Sequence, residues 1–299
     1  MWTTSGIWIK SPWRWTEFKY LEGNLDMDHM GMTNALYAGE DRTAKCGTCT
    51  GFTLKMIAVV TMLIDHTAAT ILERALTCPS AGYITTAEAY NRWLIVYQIM
   101  RGIGRMAFPL YCFLLVEGFV HTGNVKKYLG RMAVFALISE IPFDMAFNRS
   151  FFDMSYNSVF LTLFLGLAVI TLVHKVDDKL QIQDRSLLHR YLKCIAIVAV
   201  ILAGMILAEL LHTDYSAAGV AAIAIMYVLR SRRMAAFAAG VVTLGLLSGT
   251  IEFLALFMLF PIWFYNGKRG HSAKYFFYAF YPVHLFLLSI ICWFMGLGI

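Results

Sequence analysis

Charge is what this chain has least of. Asp, Glu, Lys and Arg make up 15% of its 299 residues, while 59% are hydrophobic. Soluble domains hold roughly a quarter charged residues, so an ordinary water-facing globule is excluded. Proline is also scarce, at six. There is no Gly-rich phosphate loop, and no soluble segment interleaves basic residues with aromatics, which argues against a nucleic-acid partner. Cysteine is sparse as well. Cys46 and Cys49 form a lone CxxC with no second pair or nearby histidine, and Cys112, Cys194 and Cys292 fall inside apolar runs. No metal site is expected. No internal repeat emerges, because the nearly charge-free spans over 192–248 do not echo the earlier ones.

What the chain does have is apolar runs of membrane-spanning length. Mean hydropathy is +0.62. The runs predict an all-α, polytopic helical membrane bundle of about nine crossings: 54–73, 93–120, 131–147, 157–174, 192–211, 216–229, 234–248, 251–265 and 275–296. The stretch 234–265 would be a helix of roughly 48 Å if unbroken, and Ser248-Gly249-Thr250 offers the turn that divides it. Residues 1–50 are expected to form a poorly ordered cytosolic N-terminal extension, or in part an upstream start-site artefact, ahead of a transmembrane domain over 51–299. They do not read as a signal peptide, since no apolar run precedes Lys10.

The net charge of +6 is concentrated in short connections. Lys126, Lys127, Arg131, Arg230, Arg232, Arg233, Lys268, Arg269 and Lys274 fall on one side when 234–265 makes two passes, joined by the mixed loop 175–191. The opposing connections 148–156 and 212–215 are poorer in positive charge. The positive-inside rule then gives a cytosolic N-terminus and an outward C-terminus.

Against this apolar background the buried ionisable groups stand out, since such groups are costly in a bilayer and are kept for a task or firmly paired. Asp65 and His66 lie mid-span. Lys55 precedes His66 by eleven residues, which puts both on one helix face, about 16 Å apart along the axis. Adjacent residues diverge by about 100° on a helix, so Asp65 is expected to turn toward an arginine of the second span, such as Arg105, leaving His66 to face a cavity or to hydrogen-bond across the bundle. Arg101 and Arg105 share a face, Gly102 and Gly104 permit close helix approach, and Pro109 frees the Arg105 carbonyl and kinks the span. Glu140 and Asp144 flank Pro142 at the outer end of the third span. They suit either an ion-pair lock between spans two and three or the lining of an acceptor entry. His284, two residues beyond Pro282, is a second mid-depth imidazole, structural or catalytic.

The segments LKMIAVVTMLIDH, GRMAFPLYCFLLVEGFVHT, RMAVFALISEIPFD, YNGKRG (265–270) and KYFFYAFYPVHL occur in that order. Together they resemble the TraX family of membrane proteins associated with acetylation of conjugative pilin, over about residues 54–290. The Lys55-to-His66 spacing also resembles the Arg/Lys-x10-His signature of acyltransferase-3-type enzymes. That pattern carries an Arg-x-x-Arg element, whereas three residues separate Arg101 from Arg105 here.

The resemblance implies a multi-pass protein of the bacterial inner membrane, with acetyl-CoA as co-substrate and the lipid bilayer and a pilin-like peptide as partners. It implies His66 as base or nucleophile, assisted by Asp65, Arg101 and Arg105. Lys55, Lys268 and Arg269 would then hold the CoA phosphates, and Glu140, Asp144 and His284 would lie on the acceptor side. The alternatives are a polytopic transporter or permease, whose solute path the buried charges would mark, and a non-catalytic assembly factor of a conjugation or secretion apparatus.

Overall fold

A computed structural model describes residues 47–78, 81–181 and 187–298. Most of the N-terminal extension, Cys46 and Arg185 lie outside these residues. The described chain is helical. Helix α1 runs Gly51–Thr77, with a π-helical stretch at Ala68–Leu72, and α2 spans Ala87–Gly104. Helices α3 (Ala107–Val120) and α4 (Val125–Phe143) follow, the latter continued by a π-turn at Asp144–Asn148. Then come α5 (Val159–Gln181), α6 (Leu187–Leu210), α7 (Ser216–Val228) and α8 (Arg233–Leu247). The bundle closes with α9 (Thr250–Trp263), which begins as a 3₁₀ helix, and α10 (Lys274–Phe294).

Among the described residues five segments are long and apolar enough to cross a membrane: Gly51–Thr77, Ala87–Val120, Val159–Lys179, Leu187–Leu210 and Tyr275–Phe294. Ser216–Val228, Arg233–Leu247 and Thr250–Trp263 are shorter apolar helices. The outer surface is apolar: Leu137, Leu246 and Phe260 are each more than 70% exposed. A soluble monomer does not leave so many large apolar side chains bare, whereas lipid tails solvate them. The molecule is therefore a helical membrane protein.

The breaks fall where backbone chemistry demands. The expected kink is a true interruption: α2 ends at Gly104, Arg105 and Met106 form a turn, and α3 restarts with Pro109 in its first turn, where the missing N–H costs nothing. The division of 234–265 is made at Gly249, whose φ of 134° suits only glycine. At its start α1 is closed twice. Thr50 Oγ1 accepts from Thr53 N, and the carbonyls of Lys268 and Arg269 accept from Gly51 N and Phe52 N at 2.9 and 3.0 Å. The YNGKRG segment thus satisfies N–H groups that a helix start leaves unpaired.

Helix α1 packs on α2, α3 and α10; α3 also packs on α7, and α5 on α4, α6 and α7. At the far end of α1, Arg74 is buried and donates to the carbonyls of Gly298, Met145 and Ala146. The start of α1 therefore lies beside the 264–269 connection, and its end beside the chain's C-terminal residues.

Candidate active site

Two cavities open into the bundle. The first, of about 430 Å³, is lined at the Lys55 end by Lys55, Glu117, Tyr128, Arg131, Tyr265 and Arg269. The second, of about 340 Å³, is lined by Asp65, His66, Glu73, Arg101, Arg105, Asn148, Tyr156, Asp214 and Tyr215. Tyr111 belongs to the wall of both, and the consecutive residues Val159 and Phe160 line one each. The helix face that carries Lys55 and His66 thus joins the two cavities.

In the second cavity, Asp65 pairs with both arginines, at 2.7 Å to Arg101 Nη1 and 3.3 Å to Arg105 Nη2. This is the partnership the 100° divergence from His66 anticipates. The approach is possible because Gly104 faces Asp65, and any Cβ there would collide with the carboxylate. Arg105 is spent on neighbours: Nη1 meets Glu252 Oε1 at 3.1 Å and the Tyr215 hydroxyl at 3.3 Å, while Nε reaches the Arg101 carbonyl. Arg101 is more open, at 27% side-chain exposure, and among the described residues its ion pair is with Asp65 alone. A guanidinium has five N–H donors, so Arg101 retains several for a ligand.

His66 lines the cavity and also bonds across the bundle, with Nδ1 at 2.6 Å from His284 Nε2 and the two rings coplanar within 1°. Both options left open for His66 are realised together. Phe147 and Tyr281 set their rings edge-on to it at 5.5 and 5.8 Å.

Three placements differ from expectation. Glu140 and Asp144 neither pair with an arginine nor line the cavity. Glu140 accepts from Ser158 N and Oγ, tying α4 to the start of α5, and Asp144 accepts from Asn148 Nδ2 and Asp153 N, holding the 148–153 loop. A carboxylate beside N–H groups freed at a helix start or a turn satisfies those donors first. His284 is buried at 5% exposure and faces His66 rather than an acceptor entry. Lys268 is exposed and absent from the cavity wall; its carbonyl, not its ammonium, has the structural task. Lys55 instead has Arg131 and Arg269 as cationic neighbours on the wall, and its Nζ lies 5.5 Å from the Phe277 ring.

Glu252, Tyr215 and Asp214 were not foreseen as site residues. Glu252 sits in an apolar run and gives no periodic signal. Tyr215 is brought in by a loop in which His212, Tyr215 and Ser216 all have positive φ, and its ring stacks on Phe108 at 3.8 Å. Asp214, which accepts from the Tyr156 hydroxyl at 2.8 Å, reads in sequence as an ordinary loop aspartate.

A helical membrane protein with a paired carboxylate–guanidinium cluster and two hydrogen-bonded imidazoles at the junction of two cavities is the class that fold and site define. Residues 50–292 match the family described as TraX protein, and the chain belongs to that family. It is 29% identical over 251 residues to the "Probable fimbrial assembly protein FimC, serogroup H1" of Dichelobacter nodosus, covering 79% of this chain and 93% of that protein. No solved structure matches.

Proposed function

We propose that this protein is an inner-membrane acetyltransferase that moves acetyl from cytosolic acetyl-CoA to an amine or hydroxyl of a pilin-like acceptor. One observation carries the reading: a cationic cavity and a cavity holding a histidine approach from opposite ends of the bundle and share Tyr111 as a wall. The positive-inside orientation puts the Lys55 end in the cytosol and the termini on opposite sides, with nine passes between. Lys55, Arg131 and Arg269 suit the phosphates of CoA as point charges and paired donors. The pantetheine arm is about as long as the axial rise from Lys55 to His66, about 16 Å, and would bring the thioester past Tyr111.

His66 takes the proton from the acceptor as its nitrogen or oxygen bonds to the acetyl carbon. The carbon–sulfur bond then breaks, the thiolate leaves with the electron pair, and the proton passes from His66 to sulfur. Arg101, with donors to spare, faces the oxyanion that forms on the carbonyl. Asp65 and Arg105 hold Arg101 in place, and Glu73 and Asp214 are the carboxylates available to an incoming ammonium group. The family membership and the fimbrial name of the relative favour a pilin-like acceptor.

The test is incubation of membranes with labelled acetyl-CoA, with and without the chain, and identification of the labelled product by mass. Label on a pilin N-terminus is the expected result. No chain-dependent label on any peptide, glycan or lipid would refute the transferase reading and favour an assembly factor.

A further inference from the structure

The hydrogen bonds around the two histidines fix which nitrogen of His66 can act. His284 Nδ1 lies 2.7 Å from the Phe280 carbonyl oxygen. A carbonyl only accepts, so Nδ1 of His284 carries its hydrogen. In the neutral ring Nε2 is then a bare lone pair. That lone pair lies 2.6 Å from His66 Nδ1, so His66 Nδ1 must donate. A neutral His66 is thereby left with its hydrogen on Nδ1 and its lone pair on Nε2. Among the described residues Nε2 of His66 has no hydrogen-bond partner, and His66 lines the second cavity.

We propose that His284 is a positioning residue, which locks His66 in the Nδ1–H tautomer and presents Nε2 to the cavity as the basic nitrogen. The arrangement does the orienting work that a carboxylate does behind a histidine in a Ser-His-Asp triad, with a neutral acceptor in its place. Asp65 cannot do it, being turned to Arg101 and Arg105. The chain of contacts begins on the backbone of α10. The Phe280 carbonyl, one turn before His284 on that helix, accepts from the His284 side chain. The proposal rests on the transferase reading for its consequence in catalysis, but not for the tautomer itself.

Two measurements separate these. In ¹⁵N-histidine-labelled purified protein, with the His66 signals assigned by their loss in His66→Gln, NMR shifts are expected to show Nδ1 of pyrrole type and Nε2 of pyridine type. His284→Leu should abolish that preference. A bare Nδ1 on His66, or hydrogens on both nitrogens of either ring, overturns the inference whatever the protein's activity.

In the labelled-acetyl assay, His284→Leu should lower kcat about 100-fold or more with little change in KM for acetyl-CoA. His284→Gln, whose amide oxygen can accept from His66 Nδ1, should recover to within about tenfold of the native rate. Equal loss in the Leu and Gln variants, or a loss confined to KM, overturns the positioning role. Full transfer by His66→Ala would instead remove His66 from the mechanism, and no chain-dependent label from the native protein would sink the transferase reading, in both cases leaving the NMR result standing.

Discussion

At the scale of single residues, the site divides groups that are spent on neighbours from groups left free to act. Arg105 answers both Asp65 and the buried Glu252, so Arg105→Leu strands Glu252 in an apolar bundle and leaves Asp65 with Arg101 alone. The expected loss is about 3–5 kcal/mol, read as a fall in thermal unfolding temperature in detergent. Arg101 has spare donors, so Arg101→Gln should keep the fold and lose transfer, since an oxyanion donor contributes about 100- to 1000-fold to the rate. His66→Ala should remain folded and membrane-inserted yet fall at least 100-fold in labelled acetyl transfer. Asp153, in the loop after the third span, shows the contrast with a group outside the spans. The Ser155 backbone N–H and hydroxyl hold its carboxyl below the usual aspartate range, with no cavity to serve.

At the scale of elements, glycines decide where helices meet and turn. Gly104 leaves room for the Asp65 carboxylate between α1 and α2, and an added methyl must push one helix away. Gly104→Ala is expected to cost about 1–3 kcal/mol and to lower transfer as well, because Asp65 would lose its hold on Arg101. Thermal unfolding and the acetyl assay on one preparation test both parts. The YNGKRG connection is an element with two tasks: its backbone closes the start of α1, and Arg269 joins the cavity wall. Its exact Gly270 has a φ of 70° with Thr50 behind it. The helix α2–α3 interruption was legible from Pro109, and the α8–α9 turn from Ser248-Gly249-Thr250, because both rest on local backbone chemistry. The positive φ of His212, Tyr215 and Ser216 was not, since nothing local in their sequence requires it.

At the scale of the whole molecule, the two cavities make ligand-linked stability a direct readout. CoA binding at the Lys55 end should stabilise the purified protein, by about 2.7 kcal/mol at 100-fold excess over Kd. Lys55→Glu should abolish that stabilisation by repelling the phosphates. A transporter with no CoA site would show no such effect in either form. The apolar exterior of α6 and α4 needs no special partner here, because a bilayer covers it.

Hydropathy, charge placement and the spacing of Lys55, Asp65, His66, Arg101 and Arg105 determined the class of the protein, the order of its helices and the first members of the site. These follow from the sequence because burial in lipid and helical periodicity act along the chain itself. Only tertiary structure brought Glu252, Tyr215 and Asp214 to the arginines, set His284 against His66, and turned Glu140 and Asp144 to capping. Those contacts join residues far apart in the chain, and a carboxylate in isolation gives no sign of whether a guanidinium, a hydroxyl or a backbone N–H will reach it first.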